Sequence, residues 1–177
     1  ADIQRHLQQL HAADLLVLQF PLWWFAAPAI LKGWLDRVLV YGPMYNSRQR
    51  HEHGVMRGKR ALLSVTTGSS ARACAVDGRE GDTGLLLWPL MYSLRYIGFE
   101  VMQPHRVHGV RSGLAAQRVQ AHDDALVAAV QGYRERLAHW QHWPTVPFND
   151  SQDFEDGIVL RAQAAAHSPF IRHRSGE

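Results

Sequence analysis

The sequence predicts an α/β fold, an open parallel sheet with helices on both faces. Two apolar runs, Asp14–Phe20 and Arg60–Thr66, have strand length and are near-continuous rather than alternating, as in strands covered on both sides. Each is followed by a stripe at helical spacing: Ile30, Leu31, Trp34, Leu35, Val38 and Leu39 after the first, and Leu86, Leu90, Leu94 and Ile97 after the second. The order strand, helix, strand, helix, strand, helix is that of parallel strands joined by right-handed crossovers.

The elements follow in order. Ile3, Leu7 and Leu10 give an opening amphipathic helix, and residues 11–14 a short turn. Pro21 ends the first strand and Pro28 suits a first helical turn; the helix is expected to end near Tyr41 and Gly42. Residues 43–58 form a polar connection to the second strand. Thr67–Gly84 is unusually long for a strand-to-helix loop, and function is one common reason for such length. Gly98 stops the next helix. Phe99–Val110 holds one or two short strands broken at Pro104. Val119, Leu126, Val130, Tyr133, Leu137 and Trp140 mark the last helix. Residues 1–143 are read as the domain and 144–177 as a C-terminal extension.

Composition narrows the function classes. The chain has 177 residues, 46% of them apolar, enough for one core. Its 19 Lys+Arg against 16 Asp+Glu give a net charge of +3, too small to indicate a nucleic-acid partner. One cysteine excludes an internal disulfide and a four-cysteine metal site. His142, His167 and His173 match no compact ligand set, so no metal is expected. No uncharged stretch reaches the roughly 18 residues of a membrane span, and no signal peptide is visible. No membrane insertion and a cytoplasmic location are expected.

Open parallel sheets bind ligands beyond the carboxyl ends of their strands. Two loops are expected there: Pro21–Phe25, with Trp23, Trp24 and Phe25, and Thr66–Ser70, with backbone donors, hydroxyls and Gly68. The aromatic group can serve as core, as a dimer surface or as the wall of a flat-ligand pocket. The second loop can hold a heterocycle edge or an anion, or be an ordinary strand end. No GxGxxG follows a strand and no GxxxxGK[ST] occurs.

The string LLVLQFPLWWFAAPAILKGWLDRVL, residues 15–39, closely resembles the NAD(P)H quinone dehydrogenases, flavoprotein quinone reductases of flavodoxin-like fold. The resemblance continues through ALLSVTTGSS (61–70), GREGDTGLLLWPL (78–90) and LRYIGFEV (94–101). It implies, for the full-length protein of which this chain would be part, a flavin, FAD or FMN, and two-electron reduction of a quinone by NAD(P)H through ping-pong hydride transfer. It implies a homodimer with quinone and nicotinamide nucleotide as small-molecule partners. Leu22, Trp23, Trp24 and Phe25 would border the flavin ring, and Thr66, Thr67, Gly68 and Ser69 would contact its pyrimidine side. Trp24 and Phe25 would also wall the substrate. Tyr45 either completes a partner's pocket or is a half-exposed loop aromatic. The extension is read either as wrapping the partner subunit or as partly disordered.

The chain departs from the family pattern in three places. A tyrosine and a histidine that follow the TTG loop in vertebrate members align with Cys74 and Glu80, the two candidate catalytic positions. Cys74 is a weak donor, and an ionised Glu80 has the wrong sign beside an anionic ring. The chain also opens on ADIQRHLQQL without methionine, and the family places a strand, a flavin phosphate loop and a second strand ahead of this point. The sheet is therefore expected to be N-terminally incomplete, its strands corresponding to the third, fourth and fifth of a 2-1-3-4-5 order. Two other roles stay open on the same residues: a non-enzymatic regulatory subunit, for example an ancillary partner of a membrane transporter, and a one-electron carrier, against which the basic charge counts.

Overall fold

The structure, a computed structural model, describes residues 2–168 and 170–174. Helix α1 (Asp2–Ala12) leads into strand β1 (Leu15–Pro21), helix α2 (Ala29–Val38) and strand β2 (Arg60–Thr66). Helix α3 (Thr83–Tyr96), the short strands β3 (Glu100–Val101) and β4 (His105–Val107), and helix α4 (Ala116–Ala138) follow. The described sheet runs β1–β2, with β3 and β4 both on the far edge of β2, and every pairing in it is parallel. β3 and β4 act as one interrupted strand. Arg60 faces Glu100 while Ser64 faces His105, so one extra residue is accommodated around Pro104, which has no N–H to give the ladder.

The two faces of β2 pack into separate clusters. Ala61, Leu63 and Val65 join Leu18, Phe20, Val38, Leu87, Met91 and Leu94 on the side covered by α1, α2 and α3. Leu62 joins Met102 and Trp143 on the side of α4, with Tyr133 and Leu137 packed against them. This is the expected sheet with helices on both faces. β2 is buried at five consecutive positions, as its continuous apolar run predicts.

β1 differs from that expectation. It buries Leu18 and Phe20 toward α2, whereas Val17 is 36% exposed and Gln19 is exposed. The pattern alternates because α4 reaches only Leu15 at the start of the strand. Two of the six residues of the expected α4 stripe, Val119 and Val130, are likewise exposed, and the helix has no buried residue. Its firmest anchor is Tyr133, whose ring stacks on His105 at 4.2 Å between centroids.

The described residues of the segment 144–174 form regular structure of their own. Asp150 and Asp153 form a capping box, and β5 (Phe154–Glu155) pairs antiparallel with β6 (Val159–Leu160) across residues 156–158, with Asp156 and Gly157 at the centre of the turn. Both turn residues have positive φ, 51° and 68°, the hairpin geometry that an Asp-Gly pair favours. Phe148 and Phe170 lie against Trp88 of α3 in the same chain, with centroids 5.0 and 6.1 Å away. Glu52 accepts from the Ser151 N–H and hydroxyl and pairs with Arg95 at 3.3 Å. Pro169 and residues 175–177 lie outside the described residues.

Candidate active site

Two loops meet beyond the carboxyl ends of β1 and β2. They are tied at the root, where the Leu22 N–H donates to the Thr66 carbonyl at 2.9 Å. The first loop closes as a two-residue turn: the Trp23 N–H donates to Ala26 O and the Ala26 N–H to Trp23 O, both at 3.0 Å. Trp24 and Phe25 occupy the tip with φ of 50° and 61°. Bulky residues enter this left-handed region at a cost of roughly 1–2 kcal/mol each, so the tip is strained where its side chains are most exposed. Trp24 is 93% exposed.

The second loop bends over the end of β2. The Thr67 N–H is spent on Val107 O at 3.0 Å. Among the described residues the N–H groups of Gly68 and Ser69 donate to no acceptor, and neither do those of Trp24 and Phe25. Residues 70–82 fold back compactly: the Cys74 N–H bonds Ser70 O, the Glu80 N–H bonds Ala73 O, and a Cβ at Gly78 would lie 2.3 Å from Ala73 O. Asp82 then caps α3 by accepting from the Gly84 N–H. The loop therefore ends at Asp82, and α3 starts two residues before the boundary expected from sequence.

Between these loops lies a cleft of about 270 Å³. Of the residues singled out from sequence, Leu22, Trp24, Phe25, Thr67, Gly68, Ser69, Cys74 and Glu80 line it together. Trp23 does not: flanking the turn on the opposite side, it joins Phe20, Ile30 and Trp34 on the α2 surface. Thr66 is spent in the β2 ladder. Tyr45 sits elsewhere in this chain, edge-on to Tyr41 and Tyr96 at 5.7 and 5.5 Å.

Sequence reading missed His108. Its Nδ1 lies 2.9 Å from Thr67 Oγ1, which also donates to Ser69 O at 2.9 Å and lies 3.8 Å from Cys74 Sγ. Burial, reinforced by the Arg106 charge, holds the His108 ring below the usual imidazole value, which favours its neutral form. No sequence signal marks it, because it comes beside Thr67 only through the register that sets Thr66 opposite Val107. Among the described residues no group of three or more His, Cys, Asp and Glu is arranged to hold a metal.

The cleft suits a flat, hydrogen-bond-accepting heterocycle. It offers unspent N–H donors, an aromatic edge and Leu22 and Leu86 as apolar floor, and Glu80 is the only charged residue lining it. That donor set fits the ring of a flavin, and among the described residues lining the cleft there is no side-chain cation to pair with a phosphate.

Parallel strands with a donor-lined cleft beyond their carboxyl ends define an open α/β ligand-binding protein. The chain belongs to the flavodoxin-like fold family, whose model matches residues 1–131, within the NAD(P)H:quinone oxidoreductase superfamily. It is 39% identical over 167 residues to NAD(P)H dehydrogenase [quinone] 1 of Rattus norvegicus, covering 92% of this chain and 58% of that protein. The crystal structure of a Klebsiella pneumoniae protein assigned as a quinone reductase superposes with a TM-score of 0.75 at 33% identity, covering 94% of this chain and 68% of that one. General stress protein 14 of Treponema denticola, solved in complex with FMN, superposes with a TM-score of 0.56 at 30% identity, covering 74% and 73%. The chain spans about half the length of the curated relatives it matches. Among the described residues no helix is long and apolar enough to cross a membrane.

Proposed function

We propose that this chain forms the ring-facing side of the active site in a flavin-dependent NAD(P)H:quinone oxidoreductase. The observation that carries the reading is that Gly68 and Ser69, whose N–H groups have no acceptor among the described residues, line one cleft with the exposed Trp24–Phe25 turn. A flavin bound there, FMN or FAD, supplies two-electron chemistry between a nicotinamide and a quinone. The chain's own contribution is fixed polarity. Gly68 and Ser69 aim donors at the pyrimidine edge, where negative charge develops, and need no reorganisation to do so. Trp24 and Phe25 present one stacking surface, so nicotinamide and quinone must use it in turn, and ping-pong kinetics follow. Cys74 and Glu80 reach the same cleft, but a buried thiol and a carboxylate add little to stabilising an anionic ring. A homodimer in which Tyr45 and the C-terminal extension border the partner's cleft, and a cytoplasmic location, complete the proposal.

Titration of the chain with riboflavin and with FMN tests it. The cleft has donors for the ring and no cation for the phosphate, so riboflavin should bind within about threefold of FMN, a difference under 1 kcal/mol. Bound flavin should bleach on addition of NAD(P)H and recolour with a quinone. A flavin that binds without bleaching defeats the enzyme reading and leaves a regulatory flavodoxin-like subunit. Failure of both flavins to bind defeats the site.

A further inference from the structure

We infer that His108 is a positioning residue of this site: its Nδ1–H holds the Thr67 hydroxyl so that the loop presents the Gly68 and Ser69 N–H groups to the cleft. The inference deepens the flavin reading and rests on it for the ligand, though not for the hydrogen-bond arrangement. That arrangement follows from counting protons. The Thr67 hydroxyl has one proton, and its neighbours are the Ser69 carbonyl at 2.9 Å, His108 Nδ1 at 2.9 Å and Cys74 Sγ at 3.8 Å. A carbonyl can only accept, so the proton goes to Ser69 O. The oxygen lone pairs then accept from His108 Nδ1–H and, weakly, from the Cys74 thiol. All three contacts are made in this tautomer. With the proton on Nε2 instead, Thr67 must choose between Ser69 O and Nδ1, and one contact is lost.

The consequence falls on the loop. Ser69 O also accepts from the Gly109 N–H at 2.9 Å, and Val110 N–H bonds Thr67 O at 2.9 Å. One Ser69 acceptor position is filled within the loop by the Thr67 hydroxyl and the other by the Gly109 N–H, so the 67–69 backbone is fastened by its carbonyls while the Gly68 and Ser69 N–H groups are left without an acceptor among the described residues. Thr67 is buried, so an unfilled bond there is not repaired by water. His108 follows β4, whose register with β2 puts it beside Thr67 across 41 residues of sequence.

Nitrogen-15 NMR of the full chain tests the arrangement directly. The expected result is a neutral His108 carrying its proton on Nδ1; a proton on Nε2 overturns the inference. The amide resonances of Gly68 and Ser69 should shift in His108→Phe and in Thr67→Val, and return in His108→Asn, whose amide can replace the Nδ1 donor. Riboflavin affinity, read by fluorescence quenching, should fall about tenfold in His108→Phe, and the His108→Phe/Thr67→Val double variant should be no weaker than either single one, as for groups acting as one unit. Wild-type affinity in His108→Phe, or additive losses in the double variant, overturns the inference. Should the wild type bind no riboflavin, the flavin reading fails alone, and the tautomer and loop amides decide the role of His108. Should His108→Phe fail to fold, the wild-type tautomer and His108→Asn still decide it.

Discussion

Gly54 and Gly98 pack backbone against backbone: a Cβ on Gly98 would lie 2.7 Å from the Gly54 carbonyl carbon, and one on Gly54 would lie 2.4 Å from the carbonyl carbon of Ile97. Gly98 also holds φ at +106°. The contact pins the connection after α2 to the end of α3, alongside the Met56 N–H bond to Ile97 O at 2.9 Å. Gly54→Ala and Gly98→Ala should each lose more than about 2 kcal/mol in urea unfolding, because backbone rather than a mobile side chain must yield. Gly33 in α2 has nothing within 4 Å of its would-be Cβ. Gly33→Ala should therefore stabilise by about 0.5–1 kcal/mol, from helix propensity alone. Equal effects at all three positions would contradict the close approach.

Trp24→Gly should separate stability from binding. Glycine accepts the 50° φ without strain, so the variant should unfold about 1 kcal/mol later than wild type. The same change removes the stacking face, and riboflavin affinity should drop by about tenfold, near 1.4 kcal/mol. Urea melts and fluorescence titration of the one variant test both signs.

Cys74→Ala should change the rate of flavin bleaching by NAD(P)H less than about tenfold, roughly 1.4 kcal/mol of barrier. The thiol is buried and its contact to Thr67 is long, at 3.8 Å. A loss of several hundredfold in stopped-flow absorbance would make Cys74 a catalytic group and displace the loop backbone from that role.

Stability should fall on the acid side in two stages. Burial lowers the pKa of His51, His105 and His108 from the usual 6.5; Arg136 adds to this at His105 and Arg106 at His108, while at His51 Glu52 works against the lowering and Arg95 and Arg50 favour it. The unfolded chain takes protons near pH 6.5 that the folded chain refuses, so it binds more protons just below that pH and stability rises with pH there. The contribution is complete above 6.5 and is lost as pH falls toward the folded values. A second decline follows below about pH 4.5, where Glu52 titrates: burial pushes its carboxyl up, and the Ser151 hydrogen bonds and the Arg95 charge more than reverse that. Thermal melts from pH 8 to pH 3 should show both. His105→Phe, which can keep the stack on Tyr133, should flatten only the first.

Strand β2 and the parallel order were legible because ALLSV has no polar interruption beyond one serine, and burial on both faces leaves that mark. β1 was misread for the same reason: LLVLQF looks continuous, and only the short reach of α4 makes Val17 and Gln19 solvent-facing. The cleft residues were found through the loops at the strand ends, yet Trp23 and Trp24 are adjacent in sequence and part ways at a turn whose positive φ values no glycine announces. His108 was invisible because only the pairing of β4 with β2 brings it to Thr67. The hairpin at Asp156-Gly157 was available from its dipeptide and was passed over.

The absence of any buried residue in α4 has a kinetic meaning. Amides in β2, enclosed on both sides, can exchange with solvent only when the whole sheet opens, whereas those of α4 need the release of Tyr133 from His105 and of the helix from the cluster of Leu62, Met102 and Trp143. Deuterium should therefore enter the 23-residue helix well before the sheet, in a subglobal opening of its own. His108 lies between the two regimes, tied to the slow sheet through Thr67 and to the fast helix through Gly109, whose carbonyl faces His122 Nε2 at 3.1 Å. An opening of α4 should therefore be felt at the rim of the cleft by that route before the strands beneath it open.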